Sequence, residues 1–506
     1  MSDVSVLGVV FDTQMTFGEH VRGQKKKLAK RLQTVKALAG TSWGCNSETL
    51  RKMYIQFIQP VALYGSSTFM LFSRPSTREK MNQVAAAGAR IITGCPAGTR
   101  TRVALAEADI RSLSSLAEQQ GAVLRERVLR LADDIPAHQT VSRTVKKRLQ
   151  RETWREEAVK IAQEAKLEGL GRETETTAAT PPWLMGKGKV SFHTETGENS
   201  KKSDAPERRR EIAMRAVQKL EPADSTYFTD GSTEGGFGIG GGGIVRRESV
   251  RGDKVWSVPA GRWTSSYRAE QVALLAATED ALTAPKEVRR VRFYTDSLSL
   301  ILFLRAGPPR AASETLIKIW GCLSQMSRQK KDVQVVWIPG HADISDNETA
   351  DKAANQGRSQ NQENVKIDLP SAKVAIRDVC RKKWSGTYHT TVPPEHTHRR
   401  ATGGKRLKYQ GEWRRHEQVL LHQLRANRCP LLQATLARWG RPDTDGLCPE
   451  CKVPEDTEHL LCDCPRYQAA RSALLGHTPA LSVLQEEPDA VIRFLKRTGL
   501  LKPESR

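Results

Sequence analysis

Four widely spaced acidic residues constrain this chain more than any other feature, because each lies where a predicted element ends or begins. Asp230 and Asp296 both follow short apolar runs, in Phe-Thr-Asp-Gly-Ser and Tyr-Thr-Asp-Ser. Glu270 opens a helical pattern in Tyr-Arg-Ala-Glu. Asp351 lies in Asn-Glu-Thr-Ala-Asp, shortly after Trp-Ile-Pro-Gly-His, which ends at His341. We expect the fold to bring these four acids together.

Alternation and periodicity around the acids predict an α/β domain, with a mixed five-stranded sheet flanked by helices. The first three strands indicate an antiparallel meander, and the later βαβ units should be parallel with right-handed crossovers. The predicted strands are 226–229, 238–247, 254–259, 291–295 and 333–338, and the predicted helices are 266–282, 298–304, 313–327 and 347–356. Glycines in the second strand are expected to keep its surface flat and open.

Carboxylates that meet at strand ends can hold divalent cations, and active sites of such sheets form at strand ends. Asp230 and Asp296 would come from adjacent strand ends, with Glu270 and Asp351 on helices that face them. Two ions about 3.5–4 Å apart would activate water and stabilise the leaving oxygen in phosphodiester hydrolysis. His341, on its Pro-Gly loop, would be able to move near the site.

A simpler interpretation exists for each residue taken alone. Any one acid could be a surface carboxylate, and Asp230 or Asp296 a turn or cap residue. His341 could be a loop histidine without a role. The simpler interpretation fails for the four acids together, because each has a distinctive context and the chain order is consistent.

The charge of the chain indicates its partner. Its 506 residues carry 80 Lys and Arg against 57 Asp and Glu, a formal net charge of +23. This excess favours nucleic acid, although a merely basic soluble protein would share it. The nine cysteines, and the lack of a signal-peptide pattern or of an apolar run of about 18 residues, predict an intracellular protein, nuclear or cytoplasmic, without a membrane span.

Residues 225–357 resemble a type 1 ribonuclease H domain. The resemblance rests on the contexts of the four acids and on the run Pro-Gly-His-Ala-Asp-Ile-Ser-Asp-Asn-Glu-Thr-Ala-Asp-Lys-Ala-Ala. It implies that Asp230, Glu270 and Asp296 ligate metal, with two magnesium or manganese ions, and that Asp351 completes the second metal site. It also implies that His341 assists proton transfer or product release, and that the substrate is an RNA–DNA hybrid.

The substrate contacts and the departures from the family pattern are further expectations. Selectivity for a hybrid requires contacts to 2′-hydroxyl groups, and Gly231, Ser232 and Asn347 are candidates for substrate binding. Asp346 stands where the family usually has glycine. The short connection 305–312 leaves little room for the family's optional basic protrusion, so hybrid affinity would depend on flanking basic segments.

Residues 1–163 are predicted to be mainly helical. Their motifs, in order, are Leu-Gly-Val-Val-Phe-Asp, Thr-Phe-Gly-Glu-His, Trp-Gly, Leu-Tyr-Gly and Ile-Ile-Thr-Gly. This order resembles the thumb and connector that follow the palm in non-LTR (LINE-type, I/ingi-like) retrotransposon reverse transcriptases. Ala132-Asp133-Asp134 imitates a polymerase motif but follows the Leu-Gly-Val segment instead of preceding it. No polymerase activity is therefore expected from this chain, and the polymerase portion of such a polyprotein would be a partner.

A second metal site is predicted near the end of the chain. Cys448-x2-Cys451-x7-His459-x4-Cys464 has the residue types and spacing of a tetrahedral zinc site. Cys462 is a rival for the fourth position, and unlinked buried cysteines are the simpler interpretation. Similar CCHC zinc knuckles end the reading frames of non-LTR retrotransposons, a resemblance that implies one structural zinc and binding of nucleic acid.

A basic segment precedes this zinc site. Residues 380–428 contain twelve Lys or Arg against three Glu, with Trp384, Tyr388, Tyr409 and Trp413 among them. This mixture suits single-stranded nucleic acid, through stacking and phosphate contacts, although the aromatic residues could equally pack small helices together.

These observations predict the following domain organisation. The regions are a thumb/connector-like region 1–163, a linker 164–224, a ribonuclease H domain 225–357, a linker 358–375, a basic helical region 376–440, a zinc knuckle 441–475 and a tail 476–506. The expected function is metal-dependent cleavage of RNA in RNA–DNA hybrids by the C-terminal part of a retrotransposon polyprotein. The alternatives are a silent nucleic-acid-binding remnant and, last, a transposase or integrase of the same fold.

Overall fold

The computed structural model describes most of the chain. The described residues are 3–71, 73–142, 154–174, 189–194, 205–218, 220–307, 313–340, 342–407 and 413–501. The predicted proton-transfer residue His341 lies outside them. The chain divides into a first compact unit of residues 1–122, 149–161 and 377–506, and a second of residues 123–148 and 162–376.

The strands of the described residues form a hairpin and a larger sheet. They are β1 Val4–Val6, β2 Val9–Phe11, β3 Val190–His193, β4 Ser225–Thr233, β5 Phe237–Glu248, β6 Lys254–Ser265, β7 Arg290–Thr295 and β8 Asp332–Trp337.

Helices make up most of the remaining described structure. They are α1 Gly18–Lys36, α2 Ser47–Met53, α3 Gln59–Leu63, α4 Ser66–Phe69, α5 Pro75–Thr93, α6 Thr101–Glu107, α7 Leu113–Val128, α8 Pro136–Ser142, α9 Trp154–Glu164, α10 Pro206–Gln218, α11 Ser266–Leu282, α12 Leu298–Ala306, α13 Glu314–Arg328, α14 Ser345–Gly357, α15 Leu369–Thr391, α16 Thr397–Thr402, α17 Arg415–Arg425, α18 Gln433–Arg438, α19 Gln468–Leu474, α20 Val483–Glu486 and α21 Pro488–Arg497. Within these ranges, no helix is both long and apolar enough to cross a membrane.

The second unit has the predicted mixed α/β architecture, with one strand more than predicted. Its sheet has the order β3-β8-β7-β4-β5-β6. Strands β4, β5 and β6 pair antiparallel, whereas β4, β7 and β8 pair in parallel. The predicted number of five strands is wrong, because β3, from the predicted linker, pairs in parallel with β8. A four-residue strand between polar segments has too short an apolar pattern to be distinguished from a linker.

Alternate residues of the central strands cover the two faces of this sheet, as the two-residue period of a strand requires. On one face, Tyr227 and Phe293 belong to a buried cluster with residues of α11, α12 and α13, including Leu274 and Trp320. On the opposite face, residues such as Phe228 pack in a cluster that includes Ala350 of α14. The helices that carry Glu270 and Asp351 therefore lie on opposite faces of the sheet.

The first unit is mainly helical, as predicted for the N-terminal part. A buried cluster that includes Leu28, Leu50 and Met81 joins α1, α2 and α5. A second cluster covers the C-terminal part and includes Leu421 and Phe494. Between α2 and α3 the helix widens into a π-helical turn over Tyr54–Ile58. This turn immediately precedes the segment with Pro60, which lacks the N–H of a regular helical hydrogen bond.

Candidate active site

The pairing of β4 with β7 places the first pair of acids side by side. In the parallel pairing of β4 with β7, Thr229 is the partner of Thr295. Asp230, within β4, and Asp296, directly after β7, are the next residues along the chain, so both lie where this parallel pairing ends. The two acids are adjacent, as predicted, but the prediction that Asp230 ends its strand is wrong, because β4 continues to Thr233 and pairs there with β5.

Helix α11 brings the third acid to the same place. Its N-cap Ser265 accepts a hydrogen bond from the backbone N–H of Arg268, which starts the helix directly after β6. A Cβ on Gly231 would lie 2.3 Å from the backbone nitrogen of Glu270, so only glycine permits this approach of helix and strand. The Thr295 hydroxyl donates a hydrogen bond to the Glu270 carboxylate at 3.5 Å.

The glycines of β5 position the helix of the fourth acid. A Cβ on Gly243 would lie 1.9 Å from the backbone oxygen of Ala350 in α14, the residue before Asp351. On the other face, a Cβ on Gly242 would lie 3.0 Å from Ala273 of α11. The expectation of a flat and open glycine surface is wrong, because both faces of the strand are covered by closely packed helices.

The acids strongly perturb one another. Burial, followed by the charges of Asp296 and Asp351, raises the pKa of Asp230 to about 8. Burial, followed by the charges of Asp296 and Asp230, raises the pKa of Glu270 well above its ordinary value. The cause is that nearby negative charges in a desolvated place disfavour ionisation.

This repulsion is what a cation would relieve. Carboxylate oxygens of Asp230, Glu270 and Asp296 all lie within 4.8 Å of one another. Hard divalent cations are bound by such groups of oxygen ligands. Asp351 is not part of this set of three, but it is near enough for its charge to raise the pKa of Asp230. The group of three carboxylates fits a divalent metal ion, and Asp351 lies near this group.

Further residues hold the acids in place and were missed by sequence reasoning. A Cβ on Gly340 would lie 2.3 Å from Oδ2 of Asp296, so the Pro-Gly loop touches this carboxylate. The Trp337 indole N–H donates a hydrogen bond to the Asp296 backbone oxygen at 3.0 Å. The Asn355 side-chain amide donates to Oδ1 of Asp351 at 3.3 Å. The Trp-Ile-Pro-Gly-His run of the sequence contains Trp337 and Gly340, but it did not show which acid these two residues would contact.

The three predicted substrate-binding residues have different surroundings. Gly231 faces the start of α11, as described above. The Ser232 hydroxyl donates a hydrogen bond to Oδ1 of Asn355 at 2.7 Å. Asn347 is buried, and its Oδ1 has no hydrogen-bond partner among the described residues.

The residue that departs from the family pattern forms an ion pair. Asp346, in the first turn of α14, accepts from the Arg247 guanidinium at 2.6 Å. Arg247 also pairs with Asp253 at 2.8 Å. The aspartate at this position therefore links the start of α14 to β5.

A segment of the predicted linker supports the helix of Glu270. Glu173 is buried and forms an ion pair with Arg268, in the first turn of α11. The Thr315 hydroxyl donates to the same carboxylate oxygen at 2.8 Å. The backbone N–H of Glu173 also donates to the oxygen of Ile367 at 3.0 Å. Sequence patterns gave no signal for these contacts, because Glu173 is one acid in a polar run.

The predicted zinc ligands come together in the first unit. Ligand atoms of Cys448, Cys451, His459 and Cys464 all lie within 4.8 Å of one another, and Cys462 is not in this set. The Sγ atom of Cys464 is 3.9 Å from those of Cys448 and Cys451. His459 is buried with no partner for its Nε2 among the described residues. Three thiols and one imidazole fit a tetrahedral structural zinc.

Comparisons with known proteins cover the domain that contains the four acids. The family model described as RNase H matches residues 222–359. The ribonuclease H of Nitrosospira multiformis is 33% identical over 146 residues, 26% of this chain and 86% of that protein. The ribonucleases H of Dichelobacter nodosus and Mycolicibacterium smegmatis are each 32% identical, over 140 and 159 residues. These matches cover 26% and 29% of this chain, and 88% and 94% of the two relatives. Through this domain, the chain belongs to the ribonuclease H family.

Proposed function

We propose that the chain hydrolyses the RNA strand of RNA–DNA hybrids endonucleolytically and with divalent metal, leaving 3′-hydroxyl and 5′-phosphate ends. The observation that supports this most is the convergence of Asp230, Glu270 and Asp296 from three elements to within 4.8 Å. The raised pKa values of Asp230 and Glu270 indicate a site with an excess of negative charge. Membership of the ribonuclease H family supports the choice of substrate.

The chain's own residues would hold and shield the reacting groups. Asp230, Glu270 and Asp296 would hold two magnesium or manganese ions, with Asp351 completing the second position. When bound, such ions lower the pKa of water and stabilise the leaving oxygen. Thr295 orients the Glu270 carboxylate, and Gly340 contacts Asp296. His341 is proposed to assist proton transfer or product release.

Hybrid selectivity is proposed to involve Gly231, Ser232 and Asn347. A 2′-hydroxyl both donates and accepts hydrogen bonds, which distinguishes RNA from DNA. Ser232 follows Asp230 on the same strand, and its hydroxyl is held by Asn355. Its position beside the acids supports a contact with the strand that is cut.

The broader setting is also proposed. The motifs of residues 1–163 and the zinc cluster favour an origin in a LINE-type retrotransposon polyprotein, with the polymerase portion as a partner. The Cys448, Cys451, His459 and Cys464 cluster is proposed to hold one structural zinc. The basic segment and the zinc knuckle are proposed to bind single-stranded nucleic acid.

The test is cleavage of an end-labelled RNA–DNA hybrid by the purified full chain with magnesium. We expect cleavage at internal RNA positions, and Asp296→Asn should reduce the rate by more than about 100-fold, because losing even an outer-shell partner of a metal ligand costs 10–100-fold. The matched control is Glu287→Gln, which neutralises an exposed acid of the same domain. Absence of cleavage, or equal rates for the two variants, would contradict the proposal.

The alternative is a nucleic-acid-binding protein without turnover, favoured by the net charge of +23. It predicts that the hybrid binds without magnesium and stays intact when magnesium is added. The same labelled hybrid distinguishes the two functions, because binding and cleavage are measured on one substrate.

A further inference from the structure

The first unit contains a cavity of about 580 Å³, apart from the four acids. It is lined by parts of α2, the segment that follows α6, α15 and residues 403–406. Its volume is within the range of about 300–1,000 Å³ that is typical of ligand sites. None of its lining residues has a role in hydrolysis.

The cavity lining is strongly basic. Five arginines share it, namely Arg51, Arg111, Arg377, Arg381 and Arg406. The one carboxylate in the lining is that of Asp109. It pairs with Arg51 at 2.7 Å and with Arg406 at 3.4 Å. A concave surface lined by one sign of charge concentrates ions of the opposite sign.

Two of these arginines have no carboxylate partner among the described residues. Arg111 and Arg381 form no ion pair there, and Nη1 of Arg111 is buried without a hydrogen-bond partner. Arg111 and Arg381 line the same cavity, and the Nη2 group of Arg111 donates a hydrogen bond to Oε1 of Gln119. Burial lowers the pKa of Arg111. Adjacent cations with free donors are suited to a phosphate, which accepts several hydrogen bonds.

The rest of the lining is apolar and aromatic. Ile55, Leu105 and Ile110 line the cavity together with Trp384 and Tyr388. The Arg102 guanidinium lies 4.1 Å from the centroid of the Trp384 ring and holds it in place. An apolar and aromatic surface beside arginines is the combination that binds a base together with its phosphate.

We propose that this cavity binds one unpaired nucleotide of a single-stranded nucleic acid, with its phosphate at Arg111 and Arg381 and its base against the apolar lining and Trp384. The inference rests on the proposed binding of single strands and assigns a site to it. A duplex is excluded by geometry, since its bases are paired and stacked inside the helix, whereas an unpaired base can enter a cavity.

The test is fluorescence anisotropy of a labelled 12-nucleotide single strand with the full chain in magnesium-free buffer. Arg111→Gln with Arg381→Gln should weaken binding at least tenfold, because hydrogen bonds to charged groups are strong. The slope of log K against log salt should fall by about 0.7, the value for one phosphate of a single strand that the protein no longer neutralises. The matched control is Arg493→Gln with Arg497→Gln, two exposed arginines of the same unit outside the cavity. Equal weakening of binding in the two double variants would overturn the proposal.

A second variant tests the proposal in a protein that is expected to remain folded. Ser385, exposed and in the lining, lies four residues after Arg381 on α15. Ser385→Glu would place a carboxylate beside Arg381, which keeps or raises the Tm because opposite charges four residues apart stabilise a helix. It should still weaken binding of the strand at least tenfold, because the carboxylate takes the place of the phosphate. Unchanged affinity in this folded variant would overturn the proposal.

Competitors identify the ligand. An unlabelled single strand should displace the probe, and a duplex of the same sequence should not. Displacement by an equimolar nucleoside monophosphate would overturn the assignment to a strand, because it would indicate a site for free nucleotides. The assay contains no magnesium and no hybrid, so its failure is distinct from a failure to cleave RNA.

Discussion

At the scale of single residues, the four acids show how far a local pattern can predict a site. Their contexts and chain order predicted that Asp230, Glu270, Asp296 and Asp351 would meet. The structure brings the first three together, and Asp351 is outside that group. The contact of Gly340 with Asp296 was not predictable, because it depends on where a loop returns to the sheet. Local sequence thus indicated the charged groups, and the packing determined what touches them.

The raised pKa of Asp230 predicts a pH-dependent stability of the metal-free protein. An unfolded aspartate titrates near pH 3.9, and folded Asp230 titrates at about 8. Between these values the folded protein binds more protons, so the free energy of unfolding falls as pH rises from about 4 to 8. In magnesium-free buffer, Asp230→Asn should raise the Tm at pH 8 by at least about 2–4 °C, the shift that 1 kcal/mol produces in a domain of this size.

The measurement is thermal unfolding at pH 4 and at pH 8. The increase in Tm caused by Asp230→Asn should disappear at pH 4, where Asp230 is protonated in the folded wild-type protein. Glu287→Gln is the control, because this exposed acid should leave the pH profile unchanged. An equal increase in Tm at both pH values would contradict the electrostatic explanation.

At the scale of elements, the site depends on how closely two helices approach one strand. Glycines of β5 let α14 pack on one face and α11 on the other. The sequence showed where these elements begin and end, but it did not show that the glycines permit close helix packing. That role follows from distances between backbones that are far apart in the chain.

Gly243→Ala tests this packing. The new Cβ would lie 1.9 Å from the Ala350 backbone oxygen, so α14 has to move. We expect the free energy of unfolding to fall by about 1–3 kcal/mol. Hybrid cleavage should fall by about 100-fold if Asp351 is displaced by about 1 Å. Both quantities are measured on the full chain, by denaturation and by the hybrid assay.

Gly321→Ala is the matched control within the same domain. Gly321 lies in α13, and a Cβ there would meet nothing within 4 Å. This substitution should stabilise by about 0.5–1 kcal/mol, because alanine is the better helix former. Similar decreases in stability for the two variants would show that packing against α14 does not cause the destabilisation by Gly243→Ala.

The proposed zinc site at Cys448, Cys451, His459 and Cys464 is tested by metal content. We expect about one zinc for each chain, absent from Cys448→Ser and retained in Cys462→Ser, because Cys462 is outside the group of possible ligands. Elemental analysis of the purified proteins measures this, and thermal unfolding should show the decrease in stability that accompanies removal of a structural metal. Equal zinc in the two variants would refute the ligand assignment.

At the scale of the whole molecule, the first unit combines residues 1–122 and 149–161 with residues 377–506. Glu107 is fully buried there, and its carboxylate contacts Arg425 at 2.7 Å, His398 at 2.8 Å and His422 at 2.5 Å. Burial alone would raise the pKa of Glu107, but Arg425 and the two histidines hold it well below its ordinary value. One buried acid thus joins residues about 300 positions apart in the sequence.

Glu107→Gln should destabilise the first unit by about 3–5 kcal/mol, because it leaves Arg425 buried without a carboxylate. Chemical denaturation of the full chain measures the change. The control is Glu19→Gln, which breaks an exposed pair with Arg22 and should cost less than about 1 kcal/mol. A change for Glu107→Gln as small as that of the control would show that the network contributes little.

The sequence by itself determined the element types of the catalytic domain, the contexts of its acids and the residue types of the cysteine and histidine cluster, because periodicity, turn residues and ligand spacing are local properties. The tertiary structure alone decided that β3 extends the sheet, that Glu173 supports α11, that Glu107 contacts Arg425, and that five arginines line one cavity. Each of these depends on contacts between residues far apart in the chain, whose free energy no local pattern encodes.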